Sequence, residues 1–222
     1  MEQNRKTKNP IIGRTQEFVY ELLKEEFTGH DYEHIQRVTR YALLIGEKEG
    51  ADLEIVELGA LLHDISDWKF NGGDLELGST LASEWLSKNE YPQEKIEIIA
   101  SIIRNVSYKG ANVESKQETL EGKVVQDADR LDAIGAIGIG RAFAYGGSKK
   151  RKMYDSKIVP QMHSSFEEYK NNENTTINHF YEKLFLLESK MNTKTGKELA
   201  GKRTKFMREF VNRFLDEWNG IE

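Results

Sequence analysis

Apolar residues recur at steps of three and four along almost the whole chain, the spacing of helices that turn one face to a core. From Ile12 to Phe27 the stripe runs through Phe18, Val19, Leu22 and Leu23, and Thr28-Gly29 stops it. Asp31 then stands where a carboxylate caps a second helix reaching Glu49, with Gly50 just past its end. His34, Val38, Tyr41 and Ile45 share the apolar face of that helix. Asp52 opens a third, in which Ile55, Gly59, Leu62 and His63 fall on one side and the small Gly59 and Ala60 let a neighbour come close. After Asn71-Gly72-Gly73, Leu77, Leu81 and Trp85 mark a fourth helix. Pro92 in a first turn opens a fifth, with Ile96, Ile99, Ile102 and Ile103 as its apolar side.

Residues 107–117 are polar and read as a loop, with room for a short hairpin over 107–118. One long helix is predicted from Leu120 to Tyr145, rich in small residues that favour close packing in a domain centre. Gly146-Gly147-Ser148 ends it, and Lys149 to Gln161 reads as a basic loop with few packing residues. Two helices follow, one through Ile177, Phe180, Tyr181, Leu184 and Leu187, the other through Leu199, Phe206, Phe210, Phe214 and Trp218. The expectation is an all-α fold in a single domain, residues 1–222. Its C-terminal helices, 175–218, carry enough aromatic residues to complete the core and to admit a homodimer face.

Composition narrows the chemistry. A chain of 222 residues is long enough to bury a core without covalent staples. It has no cysteine, which excludes disulfides and thiolate metal sites and leaves any metal to His, Asp, Glu or backbone oxygen. The first nine residues are charged and polar, and no apolar run is long enough to span a bilayer, so a soluble, unexported, cytoplasmic protein without membrane partners is expected. The formal net charge of -5 argues against specific nucleic-acid binding, apart from a local basic run, Lys149-Lys150-Arg151-Lys152.

A lone histidine on an apolar face is, roughly two times in three, a core residue satisfied by a hydrogen bond. Here His34, His63, the adjacent Asp64 and the later run Asp127-Ala128-Asp129 all sit on apolar helices, a costly arrangement unless the charges are compensated. A divalent metal supplies that compensation. Two imidazoles with carboxylates suit Mn, Fe, Co, Ni or Zn. Asp127 and Asp129 are two apart and cannot share a helix face, so periodicity admits either as a ligand. His30-Asp31 is a second His-Asp pair, but Asp31 is placed as a cap, which leaves His30 beside the site or at the substrate's edge. Lys69, Lys109, Arg130, Arg141 and the run Lys149, Lys150 and Arg151 are the cations available to an anionic substrate, and Tyr108 could stack on a base.

These residues resemble the HD-domain superfamily of metal-dependent phosphohydrolases: His34 in His34-Ile35-Gln36-Arg37-Val38, then Leu61-Leu62-His63-Asp64, then Ala128-Asp129-Arg130-Leu131. The likeness spans about residues 28–141. It extends to Gly29-His30-Asp31, Ser107-Tyr108-Lys109-Gly110 and Phe143-Ala144-Tyr145-Gly146-Gly147, as in the small stand-alone bacterial HD hydrolases of the YpgQ type. The resemblance implies an HD helical bundle with additional C-terminal helices. It also implies a divalent metal, Mn first and Fe, Co, Ni, Zn or Mg also compatible, on His34, His63, Asp64 and Asp129. Asp127 would then orient a ligand histidine, and Asp67, three residues after Asp64, would help activate the attacking water. The activity implied is hydrolysis of (deoxy)nucleoside triphosphates to monophosphate and pyrophosphate by attack of a metal-activated water at the α-phosphorus. A nucleotidase or phosphodiesterase on the same metal, or a nucleotide sensor without turnover, is the alternative.

Overall fold

The computed structural model describes residues 9–25, 31–66, 76–107, 116–162 and 174–221. The helices are α1 (Pro10–Leu23), α2 (Tyr32–Glu49), α3 (Leu53–Leu62), α4 (Leu77–Lys88), α5 (Gln93–Val106), α6 (Leu120–Asp132), α7 (Gly135–Ser148), α8 (Thr176–Glu182) and α9 (Lys194–Trp218). Two 3-10 turns, Leu184–Leu186 and Glu188–Lys190, lie between α8 and α9. The fold is all-α: the described residues contain no strand, and none of their helices is long and apolar enough to cross a membrane.

Two compact units emerge, residues 1–106 with 117–126, and residues 107–116 with 127–222. In the first, α3 is the central element, with Ile55, Val56, Leu58, Gly59, Ala60, Leu61 and Leu62 all buried. Its ends are set locally. Asp52 accepts from the N–H groups of Glu54 and Ile55 at the start, and Gly50, at φ 77, has already ended α2 in the left-handed conformation that glycine adopts without strain. A Cβ built on Gly59 would sit 3.4 Å from Val125 and 3.6 Å from Ile102, so the small residue lets α5 and α6 close on α3. Burial at Glu54 is offset by bonds from Asn9, Tyr91 (2.7 Å) and Lys95, which tie the starts of α1, α3 and α5.

The second unit packs α7, α8 and α9 around an aromatic cluster. Phe143 lies 6.0 Å from Phe210 and 5.9 Å from Phe214, while Phe180, fully buried, lies 6.2 Å from Phe210. Phe180 is core, whereas Phe143, Phe210 and Phe214 are only partly buried, and Phe206 and Trp218 of the expected stripe are about half exposed, so that stripe does not lie wholly in the core as expected. Three elements depart from the expectation. α1 ends at Leu23 rather than Phe27. The helix expected through Leu187 stops at Glu182 and continues as 3-10 turns, because the Lys183 backbone (φ -137, ψ -59) leaves the helical region and brings Phe185 within 6.0 Å of Phe180.

The long helix predicted from Leu120 to Tyr145 is two helices, broken at Ala133 and Ile134. Gly135 has φ 78, outside the helical region, and a Cβ there would meet the Arg203 side chain at 3.0 Å. Arg203 also donates to the Leu131 carbonyl, at the end of α6. The break is thus imposed by α9.

Candidate active site

His63 is the first residue past α3, where the helix leaves its last carbonyls without helical partners. Its Nδ1 lies 2.8 Å from the carbonyl oxygen of Ala60, a bond that places the ring proton on Nδ1 and makes Nε2 the acceptor. His34 sits in the first turn of α2, its backbone N–H donating to Asp31 Oδ1 at 2.7 Å, so Asp31 is the helix cap. The two buried rings meet edge to face, 5.3 Å apart, with Nε2 3.3 Å from Nε2. Asp64, next along the chain, brings Oδ2 to 3.8 Å from His34 Nε2.

His34 Nε2 therefore faces both His63 Nε2 and the Asp64 carboxylate. His63 Nε2 presents a lone pair to His34 Nε2 at 3.3 Å, a gap that a shared proton or a cation can bridge. Nitrogens bound ~2.1 Å from one ion at a tetrahedral angle are ~3.4 Å apart. The observed spacing fits a shared ion without rearrangement, and the nitrogen and oxygen donors are those of a borderline divalent metal.

In the second unit, the run after Gln126 has divided roles. Asp127 is fully buried, and its carboxylate accepts from the N–H and Nδ2 of Asn192 and from the N–H and Oγ1 of Thr193, all at 2.7–2.8 Å. Asp129 is half-buried. Arg130 is buried and donates to the Lys190 carbonyl, while Arg141 pairs with the buried Asp132 at 2.6 Å. Burial, together with the charge of Arg130, pushes the Lys190 ammonium below its ordinary value.

Lys149 and Arg151 lie against the ring of Tyr145, at 5.7 and 5.9 Å, with Lys150 at φ 55 between them. The loop that follows is fastened, since the Lys152 and Met153 carbonyls accept from the first-turn N–H groups of α8. His30, Asp67, Lys69, Tyr108 and Lys109 lie outside the described residues. Asn192, Thr193 and Asp132 did not emerge from the pattern of the sequence. Thr193 ahead of a helical stripe is nonetheless a cap signal that could have found the first contact.

The HD domain family matches residues 31–134, which takes in both histidines and both aspartates of the run. YpgQ of Bacillus subtilis (strain 168) is 37% identical over 206 residues, 92% of each chain. This chain belongs to the HD superfamily. Its fold is that of a Lactobacillus plantarum protein (TM-score 0.84, 39% identity, covering 95% and 97% of the two chains) and of an HD-superfamily hydrolase from Bacillus thuringiensis (TM-score 0.73, 40% identity, 94% and 96%). YpgQ has been solved in complex with ADP (TM-score 0.73, 36% identity, 93% and 94%). The HD enzyme described here is a phosphohydrolase of that superfamily.

Proposed function

We propose that this HD hydrolase cleaves (deoxy)nucleoside triphosphates to the monophosphate and pyrophosphate. The observation that carries the reading is the approach of the His34 and His63 Nε2 atoms to each other, with the Asp64 carboxylate beside His34. The nucleotide class is supported by the ADP complex of YpgQ.

Asp129 is taken as the fourth ligand. α3 and α6 run in the same direction: Asp52 N–H, at the start of one, donates to Glu121, at the start of the other, at 3.0 Å, and further along Gly59 faces Val125. Asp129 follows on α6, one helical turn after Val125. The donor chemistry of His34, His63 and Asp129 suits an ion. Mn is the metal expected first; bound there, it would acidify a water and draw charge from a phosphoryl oxygen.

Asp67 takes a proton from the attacking water. The water oxygen bonds to the α-phosphorus, the bond from that phosphorus to the bridging oxygen breaks, and pyrophosphate leaves. Such chemistry depends mainly on positioning and on compensating charge. Lys69, Lys109 and the cluster Lys149, Lys150 and Arg151 supply the compensation, and Tyr108 stacks on the base. Arg130 and Arg141 add positive charge around α6 while bracing it.

The test is a product assay on chelator-stripped, Mn-reloaded protein against deoxynucleoside mono-, di- and triphosphates, detecting phosphate and pyrophosphate separately. Pyrophosphate from triphosphates is the expected product. Phosphate from monophosphates would make the enzyme a nucleotidase, and metal binding without any product would make it a sensor.

A further inference from the structure

We infer that Asp127 is a positioning residue: it fastens α6 to the first turn of α9 and so sets the rotation of α6 that presents Asp129. The inference rests on the reading of Asp129 as a metal ligand. Both oxygens of Asp127 are used, Oδ1 by Asn192 and Oδ2 by Thr193. Thr193 is also the cap of α9, its Oγ1 accepting from the Gly196 N–H at 2.9 Å, so the hydroxyl proton is directed at Asp127. The carboxylate therefore lies at the positive end of a 25-residue helix, where negative charge is favoured. Gly196 makes room for it: a Cβ there would sit 2.3 Å from Oδ2.

Two more ties act on the same stretch of α6. Arg130 donates to the Lys190 carbonyl, and Arg203 of α9 donates to the Leu131 carbonyl. Residues 127, 130 and 131 are thus each held by the segment 190–203. Asp127 and Asp129 point ~200° apart around the helix, because each residue advances ~100°. Fixing the first therefore fixes where the second points. All of α9 lies beyond residue 134, where the family match ends, so a helix outside the HD match would help to build the HD site.

The experiment measures Mn binding by calorimetry on the stripped full chain, with circular dichroism to establish folding. Thr193→Val removes the hydroxyl while keeping the shape; Thr193→Ser keeps the hydroxyl. Asp127→Asn cannot accept on both sides. Asp127→Asn and Thr193→Val should bind Mn ~10–100-fold more weakly, as losses around metal ligands do, and Thr193→Ser should bind as the wild type. If Asp127→Asn does not fold, Thr193→Val decides. Folded variants that melt earlier yet bind Mn as the wild type would overturn the inference, leaving Asp127 a purely structural carboxylate. Asp129→Asn separates the two ideas: unchanged Mn binding in that variant would remove the ligand reading, and this inference with it.

Discussion

Replacing Gly196 by alanine should destabilise the protein, although alanine is the better helix former. The added Cβ would stand 2.3 Å from Asp127 Oδ2, 2.8 Å from Thr193 Oγ1 and 2.9 Å from Asp127 Cγ. None of these atoms is the loose end of a long side chain. Asp127 is short, fully buried and held by four bonds, so relieving the overlap must shift Oδ2 by close to an ångström and break its bonds to Thr193 at 2.8 and 2.7 Å. Hydrogen bonds to a charged group contribute ~1.5–3 kcal/mol each. Against that loss stands a gain in helix propensity of at most ~1 kcal/mol. The net cost is ~2–5 kcal/mol, which for a chain of this size lowers the melting temperature by ~2–4 °C per kcal/mol. Gly140→Ala is the control: it lies in α7 with nothing within 4 Å of an added Cβ, and should raise the melting temperature slightly. Thermal and urea melts of both variants make the comparison. A Gly196→Ala protein that melts with or above the wild type would refute the reasoning.

Other expectations follow from the same geometry. His63→Ala removes a ring whose Nε2 faces His34, and should abolish tight Mn binding and turnover together; wild-type metal content would sink the ligand assignment. Asp67→Asn should leave Mn bound but lower the rate ~10²-fold or more, the contribution of a general base, and an unchanged rate would demote Asp67 to a structural role. Burial pushes the Glu54 carboxyl up, but the bonds from Asn9, Tyr91 and Lys95 outweigh it and hold the group below its ordinary 4.5. Its stabilisation is therefore complete above that value and is lost as pH falls through the depressed one. Urea titrations of the wild type should show a steeper loss in acid than those of Glu54→Gln; parallel slopes would contradict the assignment.

What the sequence disclosed was local. Asp31, Gly50 and Asp52 declare the ends of α2 and α3 by their own side-chain and backbone preferences, and the period of three and four turns His34 and His63 inward. The break between α6 and α7 was hidden because the small apolar residues around Gly135 continue a helical pattern, and the side chain that occupies the break belongs to Arg203. Asp127 and Asp129 looked equivalent for a similar reason. The partners of Asp127, Asn192 and Thr193, stand 65 and 66 residues further along the chain. Periodicity reports a residue's own helix, whereas these choices are made by a different one.

The first unit has a consequence for how the chain is born. Its five leading helices end at residue 106, but its core also needs residues 117–126. Val124 and Val125 are wholly buried, and Gln117 and Gln126 donate to the carbonyls of Ile102 and Asn105. On the ribosome, α3 and α5 are therefore made before the strip that covers them, and the nascent protein carries an open apolar slot until that strip emerges. Such transient exposure is where aggregation and chaperone capture begin. Until residues 117–126 are made, the helices before residue 106 lack the strip that completes their core.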